Sequence, residues 1–210
     1  MQSDTMPPPT RKQPGSFLIP RYYDPLEWEN VIPDKENYTI EDYEKLPEGS
    51  LYQLINGALV MTPAPIVYHQ RISRTLGFKL YAFVEKNALG EVFYAPIDVQ
   101  FSENNVYQPD IVFIHRDREE IIGEKRIEGP PDIVIEILSP STAYMDLREK
   151  YEVYEKCGVR EYWIADPKIK KVEVFENINN KFQLNNEARE TGTVSSKFLE
   201  GFTVELEIIF

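Results

Sequence analysis

The sequence has little of what several common functions require. Of its 210 residues one is cysteine, Cys157, and two are histidine. An internal disulfide is therefore excluded, and a structural zinc site has too few Cys and His ligands. A lone cysteine fits a reducing compartment, so a cytoplasmic location is expected. Cys157 falls at a helix end with no base to activate it and reads as a packing residue. Neither a Gly-x-Gly-x-x-Gly nor a P-loop pattern is present, which argues against nucleotide folds of those kinds. No stretch has the apolar length of a membrane span. The first residues lack the basic start and apolar run of a secretory signal. Positive charge is also scarce. With 23 Lys and Arg against 35 Asp and Glu, the net charge is −12. Any footprint on nucleic acid must then be local, and the plain reading is an acidic cytosolic protein.

The remaining composition suits one domain with a substantial core. Residues 1–37 form a Pro-rich arm with Pro7-Pro8-Pro9, expected to be partly disordered. Tyr22, Tyr23, Leu26 and Trp28 equip it to dock on the domain, 38–210, or on a second subunit of a homodimer. Thr39 is placed to cap a short helix over Ile40–Leu46, with Asp42 as the reciprocal acid. Asn56-Gly57 between two apolar runs is a strong hairpin signal, because both turn positions need positive φ. Ile66 to Leu89 reads as a long helix with Ile72, Leu76, Leu80 and Phe83 on one face, ended by Gly90. His69 lies at the edge of that face, as a packing residue or a site residue. Strands follow over Glu91–Tyr94 and Ile97–Phe101, with a turn at Asn104-Asn105, and a strand opens after Gln108-Pro109-Asp110. Arg116 to Gly129 is charged and reads as a surface excursion. The chain closes on strands over Lys171–Phe175, Phe182–Leu184 and Val204–Leu206. This order implies an α/β or α+β domain whose mixed sheet is flanked by helices.

One stretch organises the rest. Ile133 to Leu138 is an apolar, β-branched run, the mark of a strand buried on both faces, yet it contains Glu136. An ionised carboxylate there needs a metal, a cation or strong hydrogen-bond donors. A helix over Ala143–Cys157 follows, with Leu147, Tyr151 and Tyr154 on one face and Gly158 as its stop. At 100° per residue Lys150 falls about 60° from Leu147, at the inward margin. Asp110 begins a neighbouring strand. Two acids on adjacent strands can share one Mg²⁺, which prefers oxygen ligands, and a nearby lysine can orient water and offset charge on a phosphoryl group. Against this, Asp110 is a Pro-Asp turn residue and Lys150 an ordinary i,i+4 partner of Asp146.

The segments Leu51–Gly57, His69–Ile72, Pro109–Val112, Pro130–Thr142, Asp146–Lys150, Tyr154, Gly158–Ile164 and Asp166-Pro167 resemble the Uma-two family of restriction-endonuclease-like proteins. The likeness runs from about Tyr38 to Phe210. It implies the PD-(D/E)XK nuclease fold, with extra hairpins, and a metal-dependent endonuclease acting on DNA. Asp110 and Glu136 match the family's acids, and with the Ile137 carbonyl they would hold Mg²⁺ or Mn²⁺. The usual lysine position, two residues after the second acid, is Leu138 here. Lys150, on the following helix, matches the migrated lysine. The likeness places Gln53, His69 and Asp146 along the site. Gln53 stands where the family commonly has glutamate, and with the acidic charge this motivates a second reading: a weak or inactive nuclease-fold module for protein or nucleic-acid interaction. A third has a dimer lining a DNA cleft with Arg71, Arg74, Lys79 or the Arg116–Arg126 loop, against the plain reading of solvated charges.

Overall fold

The computed structural model describes residues 35–47, 50–139 and 145–210. The Pro-rich arm with Tyr22, Tyr23, Leu26 and Trp28 lies outside the described residues, as do Pro140, Ser141, Thr142 and Ala143. The architecture is α+β, built on mixed sheets flanked by helices.

Asn56 and Gly57 both adopt positive φ, 47° and 77°. They turn β1 (Tyr52–Ile55) onto β2 (Ala58–Met61), as the dipeptide predicts. β4 (Val99–Ser102) and β5 (Asn105–Tyr107) complete a four-stranded sheet in the order β2-β1-β5-β4. The β4–β5 turn falls one residue before the expected position, so that Asn105 opens β5. A short helix α1 (Ile40–Tyr43) precedes the hairpin, and the Thr39 backbone N–H donates to the Asp42 carboxylate at 3.0 Å.

Helix α2 (Val67–Asn87) buries Ile72, Leu76, Leu80 and Val84, the stripe set by its period. It stops at Ala88, which takes the left-handed conformation, rather than at Gly90. Gly90 instead begins β3 (Gly90–Tyr94). A Cβ on Gly90 would collide with the Ile114 carbonyl of the paired strand, so close backbone approach is the reason for this glycine.

The main sheet has six strands, β3, β6 (Ile111–His115), β7 (Ile133–Ile137), β8 (Glu161–Asp166), β9 (Lys171–Asn177) and β10 (Phe182–Arg189), in the order β10-β9-β8-β7-β6-β3. β7 and β8 run parallel, and the other neighbours are antiparallel. Parallel neighbours need a crossover. It contains a π-helical turn, Met145–Lys150, that continues into α3 (Tyr151–Cys157) and ends at Gly158, φ 84°. On one face of the sheet, Phe113, Ile133, Ile135, Ile137 and Trp163 pack against α2 and the C-terminal Val204, Leu206 and Ile209. On the other, Val112, Val134 and Ile164 pack against Val99, Phe101 and Tyr107 of the smaller sheet and Tyr154 of α3. β7 is thus buried on both faces, and its period of two puts Glu136 beneath α3 with Val134.

Two expectations need correction. Arg116–Gly129 is not all surface, because Ile127 is buried and bridges Val99. A third, two-stranded sheet pairs β11 (Thr193–Ser195) with β12 (Thr203–Glu205), and Leu206 starts the helical turn α4 (Leu206–Ile209) rather than extending the strand.

Candidate active site

The site forms where the β6–β7 ladder opens. Ile111 pairs with Ile135 and Val112 with Val134, and one further step in that register sets Asp110 opposite Glu136. The Asp110 N–H approaches Glu136 Oε2 at 3.4 Å, and the Ile137 N–H donates to Asp110 Oδ2 at 2.8 Å. Asp110 therefore fastens the strand start and faces the second acid at once. Its side chain is 17% exposed, whereas that of Glu136 is 3% exposed.

Lys150 reaches the site by a different geometry from that expected. A regular helix would put Leu147 inward. The π-helical turn shifts the phase, so Asp146 and Lys150 are buried and Leu147 is 46% exposed. The cause is chemical: the sheet presents Glu136 at this point, a partner for an ammonium and not for a leucine. Lys150 Nζ donates to Glu136 Oε1 at 2.9 Å and lies 2.9 Å from Asp146 Oδ1. The i,i+4 pair and the site contact thus coexist. The Tyr154 hydroxyl donates to the same Glu136 oxygen at 2.7 Å. Sequence reasoning placed Tyr154 on the packing face and missed this bond. The four-residue spacing of Asp146, Lys150 and Tyr154 was the available signal.

His69 joins the group as more than a packing residue. Its Nε2 lies 3.0 Å from the Ile137 carbonyl oxygen and 3.2 Å from Asp110 Oδ2. Burial works against its charge, but Asp110 and the Ile137 carbonyl outweigh that and raise its pKa. Among the described residues its buried Nδ1 has no hydrogen-bond partner. Gln53 acts at one remove. It accepts from the Gln108 backbone N–H at 2.8 Å and donates to Thr62 Oγ1 at 2.6 Å. Gln108 in turn donates to Asp98, which also accepts from Tyr43. This network anchors the Gln108-Pro109-Asp110 stretch.

Glu136 and Asp146 flank Lys150, and Asp110 faces Glu136 on its other side. Burial, with Asp146 and Asp110 adding to it, pushes Glu136 up to about 8 against the pull of Lys150 and Tyr154. Burial opposes the charge on Lys150 too, yet Glu136 and Asp146 raise its pKa and keep it protonated. No group of three or more His, Cys, Asp or Glu side chains with metal-holding geometry occurs among the described residues. The available donors are two carboxylates and the Ile137 carbonyl. They fit a hard cation in type, and Asp110 Oδ2 and the Ile137 oxygen already converge on one point, His69 Nε2.

A mixed sheet with a crossover helix between its parallel strands, flanked by a long helix, is the arrangement of a nuclease-like fold. A crystal structure titled as "a putative nuclease belonging to DUF820", from Anabaena variabilis, superposes with a TM-score of 0.69. The match covers 82% of this chain and 97% of that one at 20% identity, a likeness of fold. The model of the Uma2 family, described as "Putative restriction endonuclease", matches residues 40–207, and the chain belongs to that family. No curated protein matches it. Among the described residues no helix is long and apolar enough to cross a membrane.

Proposed function

We propose that the protein is a metal-dependent endonuclease that hydrolyses DNA phosphodiester bonds, with the activity in residues 38–210. The observation that carries this reading is the convergence of Asp110, Glu136 and Lys150 at one end of the main sheet, and family membership supports it. Asp110, Glu136 and the Ile137 carbonyl would hold Mg²⁺ or Mn²⁺. When bound, the ion lowers the pKa of a water and stabilises charge on a phosphoryl oxygen. Lys150, held charged between Glu136 and Asp146, orients the attacking water and offsets charge on the phosphate. Tyr154 and Asp146 fix the Lys150–Glu136 geometry. His69 keeps the Asp110 and Ile137 oxygens aimed at one point, and Gln53 positions the stretch that carries Asp110.

The test is cleavage of plasmid and oligonucleotide DNA at low salt with Mg²⁺ or Mn²⁺. Wild type cleaves, and Glu136→Ala and Lys150→Ala each lose about 10²-fold or more. Equal cleavage by all three proteins would refute the assignment. The acidic charge favours one other reading, an inactive interaction module. It predicts partner binding unchanged by Asp110→Ala and no stability response to metal. A homodimer through the arm is read directly by sedimentation.

A further inference from the structure

Asp110 lines a cleft of about 320 Å³ whose other walls include Arg74, Phe78, Tyr81 and Tyr94. Arg74, Phe78 and Tyr81 recur at i, i+4 and i+7 on α2, so they form one stripe. The three rings are 67%, 46% and 41% exposed. Exposed aromatic residues grouped in this way mark a surface that meets a partner. Tyr94 is held as a platform. A Cβ on Gly77 would collide with its ring, and its hydroxyl donates to the Gly77 carbonyl at 3.0 Å. The glycine lets the ring lie flush on the helix.

Charge points to the kind of partner. α2 carries Arg71, Arg74, Lys79 and Lys86 against Glu85, a balance of 4 − 1 = +3, in a chain of net charge −12. Arg71, Arg74 and Lys79 form no ion pair among the described residues, whereas Arg118 is paired with Asp132 and Arg126 with Glu44. Arg74, on the stripe with the rings, is therefore free to meet a polyanion. Stacking rings beside cations suit an unpaired polynucleotide, whose bases offer open π-faces. A duplex hides those faces within its own stack.

We propose that this cleft is the track of a single DNA strand, with bases stacked on Phe78, Tyr81 and Tyr94 and phosphates on Arg74, leading the backbone to Asp110. The substrate class is then single-stranded DNA or the unpaired part of a branched or frayed duplex. The inference deepens the nuclease reading and rests on it for the identity of the polymer and the place of the scissile phosphate.

The test is binding of the full chain to a labelled oligonucleotide of about a dozen nucleotides, single-stranded or as its blunt duplex, read by fluorescence anisotropy without divalent metal. Wild type binds the single strand at least about tenfold tighter than the duplex. Phe78→Ala and Tyr81→Ala each weaken single-strand binding by about tenfold. Leu184→Ala, at an exposed leucine on β10 outside the cleft, has no effect. Equal affinity for strand and duplex would overturn the proposal, as would single-strand binding untouched by both alanine variants. Sedimentation supplies another refutation: if those variants convert a dimer to a monomer, the rings are a subunit interface. Cleavage is scored separately with Mg²⁺. Single-strand preference without cleavage removes the nuclease reading and leaves the track. Duplex cleavage without that preference does the reverse.

Discussion

Asp42 and Glu136 are both buried carboxylates, and their surroundings push them in opposite directions. Burial works to raise Asp42, but Lys35, the Thr39 N–H and Lys45 outweigh it and hold the carboxyl at about 2, below its ordinary 3.8. A depressed folded pKa means stability that is complete above the unfolded value and lost as pH falls toward the folded one. Between pH 4 and 2 the wild type therefore loses about 1–2 kcal/mol through this group, allowing for the exposed lysines. Asp42→Asn shows a flatter profile in acid denaturation followed by circular dichroism. Glu136 has a different signature. The proposed metal role predicts that Mg²⁺ or Mn²⁺ at a hundredfold its Kd stabilises wild type by about 2.7 kcal/mol. Glu136→Gln keeps acceptors for Lys150 and Tyr154, and it loses that thermal shift along with cleavage. A shift of equal size in the variant places the metal elsewhere. Glu136 was legible in the sequence because an acid inside an apolar run demands a partner. The reach of His69 to Ile137 was not, because the contact spans 68 positions and depends on how α2 crosses the sheet.

At the scale of elements, period alone located α2 and β7, and it failed at the start of α3. The π-helical turn is invisible to a count at 100° per residue, so the count assigned Leu147 inward. The structure gives a sharp contrast: Leu147→Ala changes stability by no more than about 0.5 kcal/mol, whereas Leu80→Ala on α2 costs about 2–5 kcal/mol. Urea titrations of the two variants measure it. Gly90 carries a second lesson. The residue types that stop helices also permit close approach of strands, and the sequence does not separate the two uses. Gly90→Ala forces a Cβ against the Ile114 carbonyl at φ 145°, at a cost of at least about 2 kcal/mol. Were Gly90 only a helix stop, alanine would cost less than half of that.

For the whole molecule, the charge balance sets how nucleic acid can bind. The sequence suggested two sets of cations, those of α2 and those of the Arg116–Arg126 loop. Folding divides them. Arg118 is spent on buried Asp132 and Arg126 on Glu44, partners 14 and 82 positions away. α2 keeps a basic balance on an acidic body, and its Arg71, Arg74 and Lys79 form no ion pair among the described residues. Contacts confined to α2, as proposed, would neutralise about three phosphates. A single strand releases about 0.7 counterion for each, so log K falls against log salt with a slope of about −2. Between 50 and 200 mM salt the affinity drops by roughly 16-fold on that slope, far less than the thousandfold or more of proteins with six to ten phosphate contacts. Arg74→Gln lowers the slope by about 0.7, and Arg126→Gln leaves it unchanged. A slope steeper than about −4, or one that Arg126→Gln reduces, moves the phosphate contacts off α2 and onto the loop.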